Sequence, residues 1–150
     1  MVKLHNCLVE ITNETQFPMT YVLDWYDSGR VADGFTWPPT INENDHQTVL
    51  SYERDDALAG CSGYVTYNMN DTEVTIAFSN PDIGSNKLGV GTGGKEVWDE
   101  MESHEYEDFT QTIVCDNGVI LLCFCKCTGG TTNTCKIGRA SCRERVCQYV

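Results

Sequence analysis

Short runs of alternating apolar and polar residues make up most of this chain. Alternation with a period of two puts successive side chains on opposite faces of a β-strand. Clusters of Gly, Pro, Asn and Asp separate the runs, and these residues favour turns. Eight runs are predicted as strands: residues 7–12, 19–26, 47–53, 63–69, 73–79, 87–90, 110–114 and 119–127. This spacing predicts an all-β fold, either a sandwich or a barrel.

Two segments refine the prediction. Asp116-Asn117-Gly118 lies between two β-rich runs, and such a tripeptide favours a β-hairpin. By contrast, residues 95–106 place Val97, Trp98 and Met101 at helical spacing, with acidic residues on the other faces. We therefore expect one short surface helix over about residues 95–105. Its apolar side chains either anchor the helix to the sandwich or take part in binding.

Composition agrees with one globular domain that carries a strong negative charge. The 150 residues are 41% hydrophobic, and 22 acidic against 10 basic residues give a formal charge of −12. Such a charge repels nucleic-acid backbones and anionic membrane surfaces, so we expect no nucleic-acid partner. The sequence shows neither a signal peptide nor an apolar run long enough to span a membrane. We expect a cytoplasmic protein if the N-terminus is complete.

The C-terminal segment differs in character from the rest. Residues 137–147, IGRASCRERVC, look like the translation of a sequencing adapter. We therefore predict a domain over residues 1–127, a flexible tail over 128–136 and a non-native segment over 137–150. The alternative is a genuine basic interaction arm. Residues 137–150 contain three arginines and one glutamate, so without them the formal charge changes from −12 to −14.

Cysteines are numerous, with nine in the chain. Cys123, Cys125 and Cys127 alternate along one predicted strand and so share a face. Buried, reduced thiols that act as small apolar groups are the favoured interpretation. Ligation of a soft metal, with Cys115 or Cys135 as a further ligand, is the alternative.

Catalytic motifs find little support in the sequence. The segment from Gly89 to Lys95 has the spacing of a phosphate-binding loop, but Glu96 follows where a Ser or Thr is required to hold magnesium. The three histidines have neither metal-binding nor catalytic spacing. We expect a protein that is not an enzyme and needs no cofactor.

Several short motifs follow one another in a defined order across residues 8–127: VEITNET, DWYDSGR, QTVLSYER, ALAGCSGYVTYNMND, TIAFSNP, NKLGVG, KEVWDEM and TIVCDNGVILLCFC. In this order they resemble the actinoporins, the cytolysins of sea anemones, and their actinoporin-like relatives. The resemblance implies a β-sandwich that binds phosphocholine headgroups, especially those of sphingomyelin, and forms homo-oligomers on membranes. It also implies secretion, and insertion of an N-terminal helix into the target-cell membrane as a cation pore.

The resemblance places five residues at a headgroup-binding site: Ser28, Ser62, Ser79, Pro81 and Trp98. Ser28, Ser79 and Pro81 keep the residue type of the family. Trp98 stands where tyrosine is usual, and Ser62 stands where an apolar residue is usual. A phosphocholine site needs an aromatic cage for the quaternary ammonium and hydroxyl groups for the phosphate.

The chain departs from the family pattern in three places. The aromatic-rich loop is replaced by residues 82–88, which contain no aromatic ring, and two tyrosines of the cage are Glu102 and Ser103. Only residues 1–6 precede the first predicted strand, whereas a pore-lining helix needs about 20 residues.

Two hypotheses follow from these departures. One is a pore-forming cytolysin whose signal peptide and N-terminal helix are missing from this sequence. The other is a non-lytic cytosolic module that binds lipid headgroups, glycans or proteins. Fungal fruit-body lectins use the same sandwich, which makes a sugar ligand a third choice by analogy of fold.

Overall fold

Eleven strands and one helix lie within the part of the chain that the computed structural model describes, residues 3–55 and 59–142. In chain order they are β1 (Asn6–Asn13), β2 (Met19–Ser28), β3 (Arg30–Val31), β4 (Thr40–Ile41), β5 (Asp45–Tyr52), β6 (Gly60–Met69), β7 (Thr72–Pro81), β8 (Lys87–Gly91), α1 (Lys95–Asp99), β9 (Glu107–Val114), β10 (Ile120–Cys127) and β11 (Thr132–Cys142). Each of the eight predicted runs forms a strand.

These strands form two sheets. One has six strands in the order β3-β5-β1-β11-β10-β9, and the other has five in the order β4-β2-β6-β7-β8. Neighbouring strands in the described residues pair antiparallel, apart from the parallel pair β1 and β11. The predicted β-sandwich of two largely antiparallel sheets with one short helix is confirmed.

The core lies between the two sheets and is filled by alternate residues of each strand. In β1 the side chains of Cys7, Val9 and Ile11 are buried, while the residues between them are partly exposed. Tyr67 and Phe78, on strands of the five-stranded sheet, are fully buried. Burying a side chain of this kind stabilises the fold by roughly 1.5–3 kcal/mol relative to leaving it exposed.

Three thiols of β10 face this core. The exposed fractions of Cys123, Cys125 and Cys127 are 0%, 3% and 0%, whereas Phe124 on the opposite face is 47% exposed. The prediction that these thiols share one buried face is confirmed. Within the described residues, no group of three or more His, Cys, Asp or Glu side chains could hold a metal ion. The side chain of Cys135, named in the metal alternative, lies outside the described part.

The helix is shorter than predicted: α1 ends at Asp99 and not near residue 105. After it, Ser103 forms a β-bridge with Lys87, and Tyr106 adopts a φ of 61°. The chain therefore returns to the sheet edge before a further helical turn can form. No helix in the described residues has the length and hydrophobicity needed to cross a bilayer.

The backbone of Thr132–Cys142 forms β11, between β1 and β10. This range takes in part of the predicted tail 128–136 and part of the adapter-like segment 137–150. Residues 143–150 lie outside the described residues. The division of the chain into domain, tail and non-native segment stays a prediction.

Candidate functional site

A row of three serines crosses the five-stranded sheet. Ser62 on β6 lies directly opposite Ser28 on β2 and directly opposite Ser79 on β7. Residues that are directly opposite in antiparallel strands point to the same face of the sheet. The three hydroxyl groups therefore form one line across three neighbouring strands, which we call the serine row.

A β-bulge places Ser28 in this row. The register of β2 against β6 shifts between Tyr26 and Ser28, so Tyr26 lies opposite Gly63 and Ser28 opposite Ser62. The Tyr26 ring faces the core, where it packs against Phe78 at 5.8 Å between ring centroids. Strict alternation would place Ser28 on the same side as Tyr26, facing the core. The bulge adds one residue on β2, so Ser28 instead points away from the core.

Trp98 covers the serine row from α1. Its indole Nε1 donates a hydrogen bond to Ser62 Oγ at 2.8 Å. The helix can lie this close because β8 carries glycine beneath it: a Cβ atom at Gly89 would lie only 3.3 Å from Met101 Cγ and 3.4 Å from Val97 Cγ1. Thr75 Oγ1 accepts a hydrogen bond from the backbone N–H of Gly94 at 3.1 Å, which fixes the start of the helix.

Pro81 continues the site along β7. It lies two residues beyond Ser79, hence on the same face of the strand, and is half-buried. Lys87 on β8 lies directly opposite Ser79 and adds a positive charge at the end of the serine row. The structure thus brings the five predicted residues to one face of one sheet. Their role in binding stays a prediction.

Two further aromatic residues, Trp25 and Tyr64, lie beside Trp98 and were not predicted from the sequence as part of the site. The Trp25 ring lies 5.1 Å from the Trp98 ring at an interplanar angle of 82°, and 5.5 Å from the Tyr64 ring at 36°. Trp25 and Tyr64 are direct partners across β2 and β6. We call these three rings the aromatic cluster. The alternating patterns of residues 24–28 and 63–67 are enough to predict that Trp25 and Tyr64 point outward. The bulge in β2 prevents a prediction of which residues of the two strands pair.

Positions 102 and 103, where the family resemblance implies two cage tyrosines, are Glu102 and Ser103 in this chain. Ser103 lies beside the site, where its Oγ donates to the backbone carbonyl of Asn86 at 3.5 Å. Glu102 instead lines a separate cavity of about 310 Å³ between β8 and β9, together with Glu96, Glu100 and Met101. The aromatic cluster therefore draws its second and third rings from strands and not from the helix.

Comparisons with known proteins bear on the fold. The chain matches no protein-family model, and no curated protein sequence matches it. The structure of the lipid-binding protein Nakanori superposes with a TM-score of 0.74 at 15% identity, over 93% of this chain and 72% of Nakanori.

Two further solved structures share the architecture. IP-1A from Alcaligenes faecalis gives a TM-score of 0.55 at 14% identity, over 93% of this chain and 94% of that protein. The lectin XCL from Xerocomus chrysenteron gives 0.51 at 10% identity, over 90% of this chain and 99% of the lectin. At these identities the likeness shows a common β-sandwich fold.

Proposed function

We propose that this protein binds phosphocholine headgroups, such as those of sphingomyelin, on the outer face of its five-stranded sheet. One observation carries the proposal: the Trp98 Nε1 to Ser62 Oγ hydrogen bond of 2.8 Å joins the aromatic cluster to the serine row. A phosphocholine group presents a quaternary ammonium next to a phosphate. Aromatic faces attract the first and hydroxyl groups bind the second. In the serine row, Ser28 offers a half-buried hydroxyl beside the buried Ser62 and Ser79.

The fold comparison supports this proposal, since Nakanori binds lipid and has the same sandwich. Pore formation, oligomerisation on the membrane and action as a secreted cytolysin are further proposals that rest on the family resemblance alone. The alternative of a non-lytic cytosolic module uses the same binding site.

A glycan is the second candidate ligand. The fold is shared with a lectin, and the Trp25 and Tyr64 rings offer flat apolar faces next to hydroxyl groups. Sugar rings pack on such faces while their hydroxyl groups form hydrogen bonds. A glycan would therefore use the aromatic cluster without needing its attraction for a cation.

Co-sedimentation with sphingomyelin vesicles tests the proposal. We expect the parent protein to pellet with the vesicles, and Trp98→Ala to weaken this binding about fivefold or more, the scale of a desolvated cation–π contact. Ser79→Ala removes one hydroxyl of the serine row and is expected to weaken binding as well. Dye release from the same vesicles measures permeabilisation, the activity that the family resemblance implies.

Thr110→Ala is the matched control, because it removes an exposed hydroxyl from β9 of the other sheet. If Trp98→Ala and Ser79→Ala bind vesicles as well as the parent does, the headgroup proposal is wrong. If the parent protein does not bind the vesicles but is retained on a glycan array, the result favours a glycan as the ligand.

A further inference from the structure

A lysine of the protein itself lies over the aromatic cluster. The Lys95 ammonium Nζ is 5.4 Å from the centroid of the Trp98 ring and 5.7 Å from that of the Trp25 ring. Both distances are within the range of about 6 Å in which a cation is attracted by an aromatic face. Asp99 lies one helical turn further along α1, and its Oδ1 forms an ion pair with the same ammonium at 3.2 Å.

We infer that Lys95 occupies the place of the ligand's cationic end, and so acts as an intramolecular competitor that lowers the affinity of the site for organic cations. This inference rests on the proposed function and deepens it. Two cations cannot share the two indole faces, because their charges repel and the space over the rings is limited. Binding of a quaternary ammonium therefore requires the Lys95 side chain to move away.

The geometry makes this movement inexpensive. The Lys95 side chain is 55% exposed and the Asp99 side chain 49% exposed, so the lysine can turn into solvent without leaving a buried partner. Exposed ion pairs and exposed cation–π contacts are both weak. Asp99 stays behind when Lys95 leaves, and its carboxylate then faces the incoming cation. The competitor thus reduces affinity without abolishing it.

Titration of tetramethylammonium chloride, followed by tryptophan fluorescence against sodium chloride at equal ionic strength, tests the inference. We expect Lys95→Ala to bind the cation about threefold more tightly than the parent, because the competing contact is lost. Alanine is the best helix former, so α1 is retained. Lys95→Arg restores a cation over the rings and is expected to bind as weakly as the parent.

Lys126→Ala is the control for net charge, since Lys126 is an exposed lysine on β10 of the other sheet. We expect it to bind tetramethylammonium as the parent does. Equal binding by Lys95→Ala and the parent, or no binding by either, overturns the inference. An equal gain in Lys126→Ala also overturns it, because the effect would then be one of bulk charge.

Vesicle sedimentation separates this inference from the proposed function. If the parent binds sphingomyelin vesicles and Lys95→Ala gains nothing in either assay, the headgroup site stands and the competitor is wrong. If Lys95→Ala gains affinity for tetramethylammonium while no variant binds vesicles, the competitor stands and the lipid ligand is wrong.

Discussion

The thiol of Cys127 shows how one residue's environment sets its chemistry. Burial raises the pKa of the Cys127 thiol from 9.0 to about 11. Its Sγ lies 3.3 Å from Asn133 Oδ1, to which it donates a hydrogen bond. Since the thiolate is the nucleophile, this cysteine is inert at neutral pH and serves as a small apolar group of the core.

The raised pKa predicts a loss of stability in alkali. The unfolded chain releases the Cys127 proton near pH 9 and the folded chain only near pH 11. The protonated Cys127 thiol therefore adds to the free energy of unfolding in full below pH 9, and this contribution is lost as the pH rises through 11. Urea unfolding at about pH 8 and at about pH 10.5 measures the decline. Cys127→Ala should decline less over the same interval, and equal declines would contradict the prediction.

Residue identities at the candidate site follow from the sequence only in part. Ser28, Ser62, Ser79, Pro81 and Trp98 were predicted from motif order, and the structure brings them to one face. The rest of the site depends on the register of β2 against β6, which shifts by one residue between Tyr26 and Ser28. The local sequence pattern does not show this bulge, because a bulge is defined by the pairing of a strand with its partner. For the same reason the pairing of Trp25 with Tyr64 was not predicted.

At the scale of elements, the bulged strand β2 requires an unusually close approach to β6. A Cβ atom at Gly63 would lie 2.3 Å from the carbonyl oxygen of Trp25 and 3.0 Å from Tyr26 Cα. Both atoms belong to the backbone and cannot turn aside. Gly63 is therefore needed for space, and the position of the serine row depends on it because Ser62 is its neighbour in β6.

We expect Gly63→Ala to lower the free energy of unfolding by about 2 kcal/mol or more, the cost of an overpacked contact that the backbone must relieve. Thermal unfolding followed by circular dichroism measures the loss. Gly34→Ala is the matched comparison, since Gly34 has a φ of 83° but nothing within 4 Å of an added Cβ. Its loss should be about 1 kcal/mol, from backbone strain alone. A Gly63→Ala loss no larger than this would refute the steric explanation.

Elements with a repeated pattern were predictable, and those without one were not. The hairpin at residues 116–118 forms as predicted, with Gly118 at a φ of 87° between β9 and β10. The strands β3 and β4 have two residues each, which is too short to show a period. The strand β11 joins its neighbours through backbone hydrogen bonds, which require no particular side-chain pattern.

For the whole molecule, the formal charge of −12 decides which membranes it can approach. A zwitterionic surface of choline lipids has no net charge to repel the protein, whereas an anionic surface does. The proposed ligand is therefore the membrane component that the overall charge permits.

Vesicle composition tests this point. Replacing about a fifth of the sphingomyelin with phosphatidylserine should reduce the bound fraction at about 10 mM salt. Raising the salt to about 150 mM should restore much of the binding, because the Debye length falls to about 8 Å. Replacement with an uncharged lipid that lacks choline is the control for dilution of the ligand. Stronger binding to the anionic vesicles would contradict the prediction.

The hydrogen bond between Trp98 and Ser62 makes these two side chains depend on each other. The indole Nε1 donates to Ser62 Oγ at 2.8 Å. An indole N–H without an acceptor is costly when it is shielded from water. A substitution at one of the two positions is therefore best tolerated together with a matching substitution at the other.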